Sequence, residues 1–191
     1  MSRKSDLRTF KTLNAIEISF TNLISTKAFR DITINDIAKG TVINRSTFYL
    51  HYTDKYKLLD TLVNQKIRKV METISSKAHI KNGKLDYSLF AIDLTNSLKV
   101  VAEHAQLYRF ILNDSESLGL RKKTELALGK KLSKSFPLET TITRDLLIEI
   151  VSSIYISVIS WWLNNGMKYS AQFMASELVQ FFELGSKSLL I

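Results

Sequence analysis

The sequence has no cysteine, a single proline and only six glycines among 191 residues. Without cysteine there are neither disulfides nor thiolate metal sites, and a reducing compartment suits the chain. So few helix breakers leave little room for irregular connections, and a mostly helical chain follows. No run of eighteen or more apolar residues occurs, so no membrane span is expected. The first eleven residues are polar and basic and lack the apolar stretch of an export signal, so a cytoplasmic location is expected. A glycine-rich phosphate loop, a nucleophile beside an identifiable base, and carboxylates paired by spacing are all missing, and an enzyme is not expected. Histidine and acidic residues do not cluster at ligand spacing, so neither a metal nor another cofactor is expected.

What the chain does contain is charge of one sign in one place. The net charge is +9. Residues 1–72 carry thirteen Lys and Arg against seven Asp and Glu, while the remaining 119 carry fourteen against eleven. A basic first third suits an anionic partner, nucleic acid or an anionic membrane surface, although charge alone does not separate either from simple solubility.

Along residues 7–25, Phe10, Leu13, Ile16, Phe20, Leu23 and Ile24 recur at helical spacing. Thr33-Ile34-Asn35-Asp36 then reads as a capping box opening a second, short helix. Gly40 and the β-branched run Thr41, Val42, Ile43 oppose its continuation, and Asn44 offers a fresh N-cap for a third helix over 45–52. Thr53 and Asp54 start a fourth over 55–71, with Tyr56, Leu59, Val63, Ile67 and Val70 along one stripe. A polar connection over 75–84 follows. Further helices are expected over 85–104, 105–112, 118–136, 143–165 and 170–190, interrupted at Asn113-Asp114, Gly119, Pro137 and Asn165-Gly166.

Two short helices joined by a tight turn have the size pattern of a helix-turn-helix. Ile37, Ile43 and Phe48 can meet between them, and Ala38 is small where the axes approach. With Phe48 inward, Ser46, Thr47, Tyr49 and Leu50 fall on the outer arc, with Arg45 on its flank. In a major groove Arg45 could donate bidentately to a guanine edge, while Ser46 and Leu50 could meet base edges or a thymine methyl. Thr47, Tyr49 and Lys55 suit phosphate oxygens. Singly, each of these residues is as well explained as a solvated surface group; one spacing explains the set.

The run Ile32-Thr33-Ile34-Asn35-Asp36-Ile37-Ala38, then Asn44-Arg45-Ser46-Thr47-Phe48-Tyr49-Leu50-His51-Tyr52, then Asp54-Lys55, resembles the DNA-binding module of the TetR/AcrR family of bacterial transcriptional regulators. The stretch Ile159-Ser160-Trp161-Trp162-Leu163-Asn164-Asn165-Gly166-Met167 resembles one branch of that family. The resemblance implies an all-α fold: a helix-turn-helix head with its connecting helix over 1–72, and a helical dimerisation and effector-binding domain over 73–191. It further implies that Arg45, Ser46, Thr47, Tyr49, His51 and Lys55 face double-stranded operator DNA, with Thr33 and Asn35 adding contacts. The function it implies is a homodimeric repressor released from a pseudo-palindromic operator by a small apolar or aromatic effector; the alternative is a regulator or co-activator answering to a protein partner. One position departs from the family: Val42 stands where relatives commonly carry glycine. A β-branched residue tolerates positive φ poorly, so a reshaped turn is expected, with Gly40 taking the unusual dihedral.

In the second domain, Ser153, Ser157, Ser160 and Asn164 form one narrow stripe, opposite Val151, Tyr155, Val158 and Trp162, and this helix is expected to be buried on both sides. The resemblance implies that the last two helices, over 143–165 and 170–190, make the dimer interface, the first through Ser153, Ser157, Ser160 and Asn164, the final one through Phe173, Met174, Leu178, Phe181, Phe182 and Leu189. Phe90, Tyr108, Phe110, Tyr155, Trp161 and Trp162 are candidates for an apolar effector cavity, although aromatic residues on helices are more often core. His104 and His79 read as surface residues.

Overall fold

The computed structural model describes residues 3–41, 43–74, 80–81, 84–113, 116 and 118–185. The first helix, α1 (Arg3–Ile24), is followed by a 3-10 turn (Phe29–Asp31) and two short helices, α2 (Ile34–Lys39) and α3 (Arg45–Tyr49). Helices of six and five residues are not stable alone, so packing has to hold them. It does so through Ile16, Phe20, Phe29, Ile32, Ile37 and Phe48, all essentially removed from solvent. Each such side chain contributes about 1.5–3 kcal/mol by burial. Phe10, expected on the buried stripe of α1, is exposed together with Leu7, because nothing described packs over the first turns of that helix.

Gly40 closes α2 with φ −71° and ψ −7°, an ordinary right-handed conformation. The unusual dihedral expected of it is therefore absent, and Val42 lies outside the described residues. Glycine is required at position 40 for another reason. A Cβ there would collide with the Ser19 hydroxyl and sit 3.2 Å from Ser19 Cβ. Ser19 Oγ in turn donates to the Ile37 carbonyl at 3.0 Å, so α1 and α2 approach as closely as their backbones permit.

α4 (Lys55–Thr73), capped by Asp54, links the head to the body. A two-residue pairing of Ile80–Lys81 with Lys84–Leu85 interrupts the polar connection and is the only extended pairing among the described residues, so the fold is all-helical. The body comprises α5 (Tyr87–Glu103), α6 (Ala105–Asn113), α7 (Leu120–Ser133), α8 (Arg144–Asn164) and α9 (Ala171–Leu184). α5 packs on α9 and α4, α8 lies on α6 and α7, and α6 meets α1. The buried side chains of head and body form one continuous core. The turn between α8 and α9 holds Gly166 at φ 68° and Met167 at φ 53°, a left-handed pair that reverses the chain.

α8 is the one helix among the described residues long and apolar enough to cross a bilayer. Here Ile148, Ser152, Tyr155, Ile156, Ile159, Trp162 and Leu163 bury one side of it in the bundle. The opposite side is not buried in this chain: Ser157 and Asn164 are exposed and Ser153 and Ser160 half-buried, in contrast to the two-sided burial expected.

Candidate nucleic-acid interface

Side-chain caps fix both ends of the α2–α3 unit. Thr33 Oγ1 accepts from the Asp36 amide at 3.2 Å, and the Asp36 carboxylate accepts from the Thr33 amide at 2.8 Å, which completes the capping box. Lys27 donates to the same carboxylate at 2.9 Å. That bond first, with the Thr33 amide and hydroxyl behind it, holds Asp36 well below the usual carboxylate range. Asn44 Oδ1 caps α3 by accepting from the Thr47 amide and from the hydroxyls of Ser46 and Thr47, at 2.6–2.8 Å. The two hydroxyls thus lie side by side at the start of α3, held by one acceptor.

Phe48 anchors the back of α3, and Arg45, Ser46, Tyr49 and Leu50 stand exposed on the front, Leu50 to 81 %. Arg45 Nη2 donates to Tyr49 Oη at 3.3 Å, with the guanidinium carbon 5.8 Å from the ring centre. A guanidinium has five N–H donors, so this single bond orients Arg45 while leaving donors for a further acceptor. Thr47 and His51 are half-buried at the edge of this face. On α2, Asn35 is exposed, whereas the Thr33 hydroxyl is committed to its cap and donates to Asp36 at 2.9 Å.

Lys55 sits differently from the free cation the sequence suggested. Its ammonium donates to the carbonyls of Phe29, Arg30 and Ile32, each at 2.8 Å. Those three bonds use all three of its donors. Stacked 4.8 Å from the Phe29 ring centre, the side chain pins the 3-10 turn to the start of α4.

Among the described residues, three polar links tie the head to the body. The Glu116 carboxylate, between α6 and α7, accepts from the Phe29 and Arg30 amides. Lys123 on α7 donates to Asp60 on α4 at 2.6 Å. Lys66, almost wholly buried, pairs with Glu17 of α1, lies 3.4 Å from His104 Nε2 and offers its carbonyl to the Tyr108 hydroxyl at 2.8 Å. His104 is therefore half-buried in the junction and not on the open surface expected of it. Burial first, then the positive charges of Lys66 and Lys69, hold its pKa below the ordinary value, with Glu17 and Glu103 opposing. His79 lies outside the described residues. Sequence reasoning missed Glu116 and Lys66, because neither belongs to a local pattern.

The six aromatic residues named for an effector cavity divide. Phe90 and Tyr155 line a cavity of about 110 Å³ between α5, α7, α8 and α9. Tyr108 is committed to Lys66, Phe110 packs at 6.1 Å against Phe29, and Trp162 donates to the Tyr169 carbonyl at 2.8 Å. Trp161 is half-exposed and stacks on Tyr169, and Trp161 and Trp162 together line a separate, more polar recess with Asn165, Lys168 and Tyr169. The expected dimer residues divide too. Leu178 and Phe182 turn inward onto the cavity, whereas Phe173 and Phe181 are exposed on α9. On α8, Leu146, Ile150 and Trp161 join Ser153, Ser157, Ser160 and Asn164 on the face left open. Ser157 accepts from Arg121 at 3.3 Å, and Asn164 exchanges two amide bonds with Asn113. Leu189 lies outside the described residues.

A capped pair of short helices that presents one anchored helix to solvent, set on a larger helical body, defines the class of helix-turn-helix transcriptional regulators. Residues 93–184 match a family model described as the C-terminal region of transcriptional regulators, TetR_C_8. It is 24 % identical over 193 residues to the uncharacterized HTH-type transcriptional regulator YxbF of Bacillus subtilis (strain 168), covering 95 % of this chain and 47 % of that protein. The chain thus spans about half the length of that relative. Among solved structures it resembles the fatty acid degradation regulator FadR from Bacillus halodurans, with TM-score 0.70, 16 % identity and coverage of 92 % and 96 % of the two chains. It also resembles a TetR-family transcriptional regulator from Syntrophomonas wolfei str. Goettingen, with TM-score 0.69, 16 % identity and 98 % coverage of both. A third likeness is to the dihydroxyacetone kinase operon activator DhaS, with TM-score 0.61, 17 % identity and coverage of 91 % and 94 %. At these identities the structural likenesses show the fold.

Proposed function

We propose that this regulator binds double-stranded operator DNA in the cytoplasm as a homodimer and acts as a repressor released by a small-molecule effector. The observation that carries the reading is the front of α3: Arg45, Ser46, Tyr49 and Leu50 exposed on a helix whose back is locked by Phe48 and whose start is capped by Asn44. A guanidinium with free donors suits the paired acceptors of guanine, and the Tyr49 hydroxyl suits a phosphate. The open apolar face of α8 and α9 supports a dimer, since Leu146, Ile150, Phe173 and Phe181 stay 40–54 % exposed among the described residues. Two heads about 34–36 Å apart would then read successive major grooves of a pseudo-palindrome. The repressing role comes from the family resemblance: a dimer seated on its operator blocks polymerase.

Selection of bound sequences from random duplex DNA tests this reading. A two-fold symmetric motif with half-sites one helical turn apart is the expected result. Recovery of unselected sequence at moderate salt, or of a single asymmetric site, contradicts it.

A further inference from the structure

The direction in which a hydroxyl points its proton decides what it can read, and on α3 that direction is fixed. A backbone N–H can only donate, so the Asn44 side-chain atom that meets the Thr47 amide at 2.8 Å is its oxygen and not its nitrogen. An amide oxygen can only accept. Ser46 Oγ, 2.6 Å from the same oxygen, therefore spends its one proton on Asn44, and Thr47 Oγ1, at 2.8 Å, does likewise. Ser46 is exposed. What it turns outward is an oxygen with lone pairs and no proton to give.

Its neighbours on the front of the helix have the opposite polarity. Arg45 carries donors only. Tyr49 Oη accepts from Arg45 Nη2 at 3.3 Å, which leaves the phenol its own proton to donate outward. The exposed polar groups along α3 thus alternate donor, acceptor, donor. Thr47, half-buried at the edge, keeps no proton for a phosphate, in contrast to the contact its residue type implied.

In a major groove that polarity selects a base. Adenine N6 and cytosine N4 are amino donors, whereas thymine O4 and guanine O6 are keto acceptors. An acceptor set against a keto oxygen or a phosphate oxygen makes no bond. To donate to either, Ser46 would have to give up Asn44.

We infer that Ser46 accepts a hydrogen bond from the exocyclic amino group of a base, and so selects adenine or cytosine over guanine or thymine at one position of each half-site. This rests on the reading of α3 as the helix that enters a major groove, and names the base chemistry that one of its residues selects.

The test is selection from random duplex DNA with the full chain, carried out side by side for the parent, Ser46→Ala and Asn44→Gly. Glycine caps a helix almost as well as asparagine, and Ser46→Ala leaves the cap bond to the Thr47 amide in place, so both variants are expected to fold. In the parent, one position per half-site should favour amino over keto bases about two- to tenfold, the value of one neutral hydrogen bond. The selected sequences themselves tell adenine from cytosine. Ser46→Ala should lose that preference and keep the rest of the motif, the guanine read by Arg45 included. Asn44→Gly releases the Ser46 proton and should lose the same preference with the serine still present, which a contact through shape alone would not do. If Asn44→Gly lowers the urea midpoint, Ser46→Ala decides alone. A keto preference at the position that Ser46→Ala alters, an amino preference that survives in a folded Asn44→Gly, or a motif unchanged by Ser46→Ala would each overturn the inference and leave the operator reading standing. Failure of the parent to enrich any motif strikes the operator reading itself, and this inference with it.

Discussion

The head caps its helices with bonds only three residues long, while the body is tied to its own helices and to α4 across long stretches of chain. Thr33 with Asp36, Asn44 with Thr47 and Asp54 with Lys57 are all bonds between residues three apart. In the body, Tyr108 reaches a carbonyl 42 residues away and Arg109 one 54 residues away. On α3 the head exposes Arg45 and Ser46 beside Tyr49 and Leu50, while α8 and α9 of the body expose Leu146, Ile150, Phe173 and Phe181. The lesson is a division of labour. Local caps hold α3 in the open, where the proposed duplex would meet it, and long-range packing leaves the apolar faces of α8 and α9 where the proposed second subunit would sit.

The most severe way to break this contrast is Phe48→Ala. Removing the fully buried ring should cost about 3–5 kcal/mol, read from urea unfolding. Because one core runs through head and body, a single transition is expected; two separate transitions would mean that the head folds independently. Arg45→Ala, on the open side of the same helix, should leave the urea midpoint in place. It should cost about 1–3 kcal/mol of operator affinity and relax base preference, as measured by fluorescence anisotropy across operator variants.

Lys55→Ala sharpens the boundary between structure and contact. Its three bonds to carbonyls imply a stability loss of about 1–2 kcal/mol with no change in the salt dependence of DNA binding. A salt slope reduced by about one would instead place its charge on a phosphate. Glu116→Gln loosens the bond between the two regions. Its carboxylate accepts from two head amides, so the variant should lose about 1 kcal/mol of local protection, seen as faster hydrogen exchange at Phe29 and Arg30. The smallest effect concerns pH. With its pKa held below the ordinary 6.5, His104 stays neutral in the folded chain while the unfolded chain takes up a proton. Stability should therefore decline as pH falls through about 6.5 and below, and His104→Gln should flatten that decline in urea titrations.

What could be read from the sequence follows the same division. The caps at Thr33, Asn44 and Asp54, the inward turn of Phe48 and the outward arc of α3 rest on spacing within one or two turns, and the structure has them. Gly40 looked like a dihedral problem and is a packing one, because Ser19 approaches from a helix twenty residues earlier, which no local pattern records. Lys55 looked free for a similar reason: the three carbonyls it serves lie more than twenty residues upstream. Periodicity told which body residues are apolar but not which way each turns. Leu178 and Phe182 therefore went to the cavity and Trp161 to the surface, and only Phe90 and Tyr155 of six aromatic candidates line the cavity.

The central claim is that α3 enters a duplex groove, and NMR shift mapping with a selected duplex tests it most directly. The account predicts shifts concentrated at residues 44–50, with Asn35 at their edge, that persist at moderate salt. Shifts centred on the basic helix α7, around Lys130 and Lys131, or no shifts at all at low salt, would contradict it.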